Sequence, residues 1–273
     1  MSAQTMPPRA KLPGLVGSEA RRLYHRRLVR WLFAFALALY VLIIVIVWFN
    51  HDKSGVNHPA ILLDQTGRDG AVGVGVGVAI IMFVVGAAYA GAEWSNRTIV
   101  ALLFWEPRRW RVMGAKVFVA AAAAVVVTIA TQIVWIATVF FLASTKGSTH
   151  LSSDFWGTLL NRQLRVLIFT VLVTWLGFGI ANLVRNSAAS LGVAFVYFAI
   201  VEFVVIAYWH WAAQWLLNVN AVALLSKGGV DLGDNPDDPG KHISSLHGGL
   251  VWGVASVGIL AVGSWVFSRR DAS

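Results

Sequence analysis

Glu202 interrupts an otherwise apolar run as Val201-Glu202-Phe203, about six residues before that run ends at Tyr208, or roughly 9 Å at 1.5 Å per residue. An ionisable group at such a depth in hydrocarbon is costly, so by default it marks a buried pair or a pathway. Arg165, at the start of a neighbouring apolar run, is the expected partner, and a structural ion pair is preferred over a substrate contact. Gln132 lies in a third run and is expected to make a helix-to-helix hydrogen bond. His51, His58, His150, His242 and His247 are scattered through linking segments, and Asp231, Asp234, Asp237 and Asp238 lack the ligand order of a calcium loop, so solvated loop charge is expected and no metal site.

Catalytic constellations are missing from the string. ATP hydrolysis needs the phosphate cradle GxxxxGK[ST], and neither Lys146-Gly147-Ser148-Thr149 nor Lys227-Gly228-Gly229 has that spacing. The run Gly73-Val74-Gly75-Val76-Gly77 imitates a dinucleotide fingerprint but sits within an apolar span with no strand before it; the Gly73 to Gly77 step is expected to serve close helix packing instead. No GxSxG elbow or HExxH helix occurs, and with no cysteine there is no disulfide, thiolate ligand or thiol nucleophile. The chain is not expected to be an enzyme, and no cofactor is expected within it.

The elements that would position these residues are membrane helices. Of 273 residues, 58% are hydrophobic and only 13% charged, and the apolar residues gather into runs near the ~20 residues an α-helix needs to cross hydrocarbon. The runs are 31–49, 71–92, 117–143, 166–184, 188–208 and 248–267, which predicts an all-α membrane protein of six transmembrane helices. The first is too long for the apolar core of a signal peptide and lacks a small-residue cleavage site after it, so it is expected to remain as a helix. The third, at roughly 40 Å, must tilt or project.

With six spans, 15 of the 22 Lys and Arg fall on the side of the N-terminal segment, the 93–116 link, the link after the fourth span and the C-terminus. The positive-inside rule then places both termini in the cytoplasm, and it accounts for the net charge of +9 without nucleic acid. Residues 1–30 are expected to form a cytoplasmic segment, either with Ser18 capping a helix that lies along lipid headgroups or as an ordinary positively charged flank that fixes topology, and 268–273 a cytoplasmic tail. On the opposite side, the Trp-rich stretch 209–226 is expected to be interfacial or re-entrant, followed by a solvated loop within 228–240.

The 93–116 link carries most of the functional signal. Glu93 and Arg97 are spaced i, i+4, Ile99, Leu102 and Leu103 make an apolar stripe, Pro107 ends the short helix, and Arg108, Arg109, Arg111 and Lys116 mark the return to the membrane. Such a helix suits either a partner's groove or the headgroup surface. The acidic residue after the second span, Arg97-Thr98, the Leu102-Leu103 pair, Pro107-Arg108-Arg109 and Lys116 together resemble the pattern of ABC-2 type transporter permeases, as does the layout of spans with a Trp-rich segment before the last. Arg97 replaces the usual small residue before the threonine, and Trp105-Glu106 precedes the proline.

The resemblance implies the membrane-spanning subunit of an ABC transporter in a bacterial-type plasma membrane. ATP and Mg would be held by a separate ATP-binding cassette subunit, and a second permease chain, identical or different, would complete the path. Glu93, Arg97, Thr98, Leu102 and Leu103 would form the coupling helix against the ATPase, with Pro107, Arg108, Arg109 and Lys116 holding the return. The cargo is expected to be amphipathic or lipid-like and to move outward. The alternative function is a non-transporting membrane scaffold or anchor that uses the same link only for docking.

Overall fold

The computed structural model describes residues 12–50, 61–95, 109–232 and 241–269. Its helices are α1 (Leu12–His25), α2 (Arg27–Asn50), α3 (Leu63–Ser95), α4 (Arg109–Lys146), α5 (Phe155–Val184), α6 (Ser187–Val196), α7 (Glu202–Tyr208), α8 (Leu217–Leu225) and α9 (Ser245–Arg269). A π-helical turn, Tyr197–Val201, joins α6 to α7, and a 3-10 helix, His210–Trp215, leads into α8. Among the described residues five helical stretches are long and apolar enough to cross a membrane: 66–94, 110–145, 155–184, 187–208 and 245–267. The expected first run, 31–49, falls on α2, a 24-residue helix outside those five.

The helices outrun the apolar segments that predict them. α3 begins at Leu63 and takes in Thr66, Arg68 and Asp69, while α4 extends over 38 residues, about 57 Å at 1.5 Å per residue. Hydropathy marks only the part of a helix that meets hydrocarbon. Its polar ends keep their backbone hydrogen bonds and continue.

The bundle centres on α3 crossing α5, and the crossing is set by small residues. A Cβ at Gly86 would overlap the Thr174 carbonyl, and one at Gly177 the Phe83 carbonyl, so neither position admits a side chain without separating the helices. The expected Gly73 to Gly77 step does not take part: both are exposed, and a Cβ there would meet nothing within 4 Å. The inward face of α3 runs through Gly75, Ala79, Met82, Gly86 and Ala90, the i, i+3 and i+4 positions that lie in phase with the core. Buried aromatics fill the remaining space, with Tyr89 tilted on Phe178 at 6.0 Å and Phe169 edge-on to Trp252 at 5.0 Å.

The perimeter is apolar and open. Phe203 is 72% exposed and Val254 74%, as befits helices whose solvent is hydrocarbon. Two small strand pairs are added to the helices: β1 (Ile61–Leu62) runs parallel to β2 (Gly147–Ser148), and β3 (Val230–Leu232) antiparallel to β4 (Lys241–Ile243). The segment expected as solvated loop therefore contains a hairpin arm, entered through Gly228 and Gly229 at φ +100° and +107°, a region other residues rarely adopt.

Candidate functional site

α1 returns against the bundle where α3 ends and α4 begins, and three buried charges meet there. Glu19 is fully enclosed, Glu93 is 6% exposed and Lys116 4%. The Lys116 ammonium donates to Glu19 Oε2 at 2.8 Å and to Glu93 Oε1 at 2.5 Å, and the Tyr89 hydroxyl donates to Glu19 Oε2 at 2.7 Å. Arg22 donates to Glu19 Oε1 at 3.0 Å, while Arg26 reaches Glu93 at 3.4 Å and the Ala88 carbonyl at 2.8 Å. Lys116 Nζ and the Arg26 guanidinium also lie 4.8 and 5.2 Å from the Tyr89 ring centre. Each of the three buried charges thus has an oppositely charged partner within hydrogen-bond reach, the condition under which buried charge is tolerated.

Burial alone would push the Glu19 carboxyl upward, but Lys116, Tyr89 and Arg22 outweigh it and hold the group below its ordinary range. The cluster ties α1 both to the last turn of α3 and to the second turn of α4. Glu93 and Lys116, which flank residues 96–108 in sequence, accordingly tie α3 and α4 to a common point.

Of the residues expected on the coupling helix, Arg97, Thr98, Leu102, Leu103, Pro107 and Arg108 lie outside the described residues. Arg109 opens α4. Glu93 faces inward, into the cluster. Ser18, expected to cap α1, stands inside that helix and donates to the Leu15 carbonyl at 2.8 Å. The helix starts earlier because Leu15 and Leu23 are both buried and extend the apolar stripe past Ser18 in both directions. Glu19 was missed as a site residue. Its signal was available, since it is the sole acid among the first 50 residues and stands amid arginines.

The turn from α5 to α6 lies beside the same end. Arg185 takes a left-handed conformation at φ 58° and its N–H reaches the Ala181 carbonyl, after which Asn186 accepts from the Ala188 and Ala189 amides. A Cβ at Gly91 would overlap the Ser187 backbone, so this turn seats directly on α3. The Arg185 guanidinium covers the Trp94 ring at 4.5 Å.

At the other end of the bundle the expected Glu202–Arg165 pair is not formed. Both Glu202 oxygens accept from the Asn218 amide, at 3.1 and 3.2 Å. Arg165 donates instead to the Leu224 and Ser226 carbonyls at 3.2 and 2.8 Å. The two residues hold opposite ends of α8: an acid at the N-terminus with its unpaired amides, and a base at the C-terminus with its unpaired carbonyls. The expected pair fails because the length of α8 lies between the two side chains, roughly 13 Å for nine residues. The stretch 209–226 folds back beside Glu202, and Trp252 donates to the Leu217 carbonyl at 2.9 Å, so α8 is held by protein on several sides.

Gln132 makes the interhelical bonds expected of it. It donates to the Ala71 carbonyl at 2.8 Å and accepts from Gln163 at 3.2 Å, linking α3, α4 and α5. Nearby, Arg162 pairs with Asp69. No group of three or more His, Cys, Asp or Glu side chains comes together among the described residues to hold a metal ion.

Long apolar helices, a perimeter of exposed aliphatics and aromatics, and polar anchors concentrated at two levels along the helix axes define a polytopic helical membrane protein. The model of a family described as ABC-2 family transporter protein matches residues 16–201. That is well over half of the chain, and the protein belongs to the ABC-2 transporter family, a membrane transport component. The matched stretch takes in Glu19, Glu93 and Lys116 and stops just short of Glu202, so α8 and α9 lie beyond it. None of the curated proteins matches the chain.

Proposed function

We propose that this chain is the permease subunit of an ABC transporter, with six spans counting α2, both termini in the cytoplasm, and the 93–116 link docked on a separate ATP-binding subunit that supplies ATP hydrolysis and Mg. It works with a second permease chain and exports an amphipathic or lipid-like substrate. The observation that carries this reading is the buried Glu19–Lys116–Glu93 cluster, which fastens both ends of the link to α1. A partner pushing on residues 96–108 moves α3 and α4 together, because a shift of α3 alone pulls Glu93 from the Lys116 ammonium and a shift of α4 alone pulls that ammonium from both carboxylates.

In this reading the coupling contacts come from Arg97, Thr98, Leu102 and Leu103, while Glu93 and Lys116 position the link from behind and Pro107, Arg108 and Arg109 guide the return into α4. The buried cluster joins the helices on either side of the link at one point, so a push delivered to either reaches both, as a transport cycle requires. Membrane extracts solubilised gently and purified through this chain should bring down an ATP-binding cassette ATPase whose hydrolysis depends on the chain. Replacing Leu102 and Leu103 by Glu should abolish that association while the chain still accumulates. Unaltered association and transport would overturn the assignment, and association without any transport would favour the scaffold.

A further inference from the structure

A cavity of about 950 Å³ opens at the perimeter between α3, α5, α6 and α8. Its walls are aliphatic and aromatic, including Val76, Phe83, Leu176, Phe198 and Trp252, and its polar end is at Asp69 and Arg162. A second, polar chamber of about 290 Å³ shares Arg162 and Leu225 with it and adds Asp154, Thr158, Asn161, Arg165 and Lys227. The first chamber suits hydrocarbon, the second an anion.

Charge in the polar chamber is unbalanced in a particular way. Asp69 engages Arg162, and Asp154 lies 3.7 Å from Lys227 while accepting from Thr158 at 2.5 Å. Arg165 donates only to two carbonyls and has no carboxylate partner among the described residues. Arg162 Nε is buried without a hydrogen-bond partner. Guanidinium groups at the mouth of an apolar cavity, with donor capacity left over, match a phosphate on a hydrocarbon chain.

We propose that the paired chambers bind one anionic phospholipid-like amphiphile, an acyl chain in the apolar cavity and its phosphate against Arg162, Arg165 and Lys227. The site is at the end of the bundle away from Glu19, since Asp69 and Glu93 stand 24 residues apart on α3, roughly 36 Å. In the six-span topology this is the outer leaflet. The inference rests on the permease reading for its meaning as cargo or entry site, whereas binding itself needs neither ATP nor the ATPase.

The test uses the full chain in nanodiscs of phosphatidylcholine with a minor share of phosphatidylglycerol, followed by delipidation and mass spectrometry of the lipid retained. Wild type should keep one phosphatidylglycerol per chain, enriched on the order of tenfold over its share, the ratio that one charge-assisted hydrogen bond supplies. Lys227→Gln, on an exposed side chain, and Ala199→Trp, at the exposed mouth, should each remove most of that enrichment while the chain stays monodisperse. Arg165→Gln should do likewise, with melting measured because Arg165 also anchors α8.

Equal retention of the two lipids, or enrichment untouched by Lys227→Gln and Ala199→Trp, overturns the proposal. Displacement of the lipid signal by millimolar inorganic phosphate would assign the polar chamber to a free anion instead. Oxidative cross-linking of Ala199→Cys between two copies of this otherwise cysteine-free chain would show the mouth closed by a second copy and would likewise overturn it. A chain that selects phosphatidylglycerol but recruits no ATPase keeps the site and loses the permease reading; the reverse result does the opposite.

Discussion

Replacing Lys116 with Met tests the buried cluster where it is most exposed to failure. The ammonium serves two carboxylates at once, Glu19 at 2.8 Å and Glu93 at 2.5 Å, and all three side chains are buried. Removing one partner of a buried pair costs about 3–5 kcal/mol, because the remaining charge is stranded. Arg22 still reaches Glu19 and Arg26 still reaches Glu93, so the lower figure, about 3 kcal/mol, is the expected loss. For a chain of this size, at about 2–4 °C per kcal/mol, the midpoint of thermal unfolding in detergent should fall by about 6–12 °C. Neutralising all three groups together, as Lys116→Met with Glu19→Gln and Glu93→Gln, should recover part of that fall, since no buried carboxylate is left stranded and the more exposed Arg22 and Arg26 keep amide oxygens as acceptors. A single variant that melts with wild type, or a triple variant that melts no higher than the single, would refute the reasoning.

Three further outcomes follow from the same geometry. Because the Glu19 carboxyl is held below its ordinary 4.5, its ionised form stabilises the fold above that pH, and the contribution disappears as pH falls through the lowered value; acid melting of wild type should therefore be steeper below pH 4.5 than that of Glu19→Gln, and parallel curves would count against it. Glu202→Leu leaves the Asn218 amide without its acceptor at about 1–3 kcal/mol, so hydrogen exchange across Leu217–Leu225 should quicken there first, and unchanged protection of α8 would contradict the anchoring role. Gly177→Ala drives a methyl into the Phe83 carbonyl and should destabilise by about 1–3 kcal/mol, whereas Gly73→Ala, facing open space, should melt as wild type; equal effects would place the crossing elsewhere.

Much of the architecture was legible because hydrocarbon imposes it. The run 188–208 reappears almost unchanged as the helical stretch 187–208, since its flanks, Asn186 and Trp209, also break the backbone pattern. Elsewhere the ends ran past the apolar runs, as at Thr66 to Gly70, because hydropathy reports the medium and not the hydrogen bonding. The glycine step was chosen by spacing alone, and spacing cannot tell which face of α3 turns inward. Glu202 and Arg165 were both singled out by the cost of their charge, yet their bonds go to α8, an element whose return beside them depends on tertiary packing. Glu93 and Lys116 were recognised through a family pattern, while Glu19 passed unnoticed because the cluster joins residues 97 positions apart. A lone acid in a basic segment carries a local signal, but its partner is fixed only by the fold.

The proposed coupling requires residues 96–108 to meet a partner ATPase on the cytoplasmic side. The absence of cysteine makes one measurement direct: introduce Leu102→Cys as the single thiol, and treat intact cells and then inverted vesicles with a bulky, membrane-impermeant maleimide and with a short cross-linker. The expected result is no labelling in intact cells, labelling in inverted vesicles stripped of peripheral proteins, and a cross-link to an ATP-binding subunit before stripping. Labelling of Leu102→Cys in intact cells would contradict it.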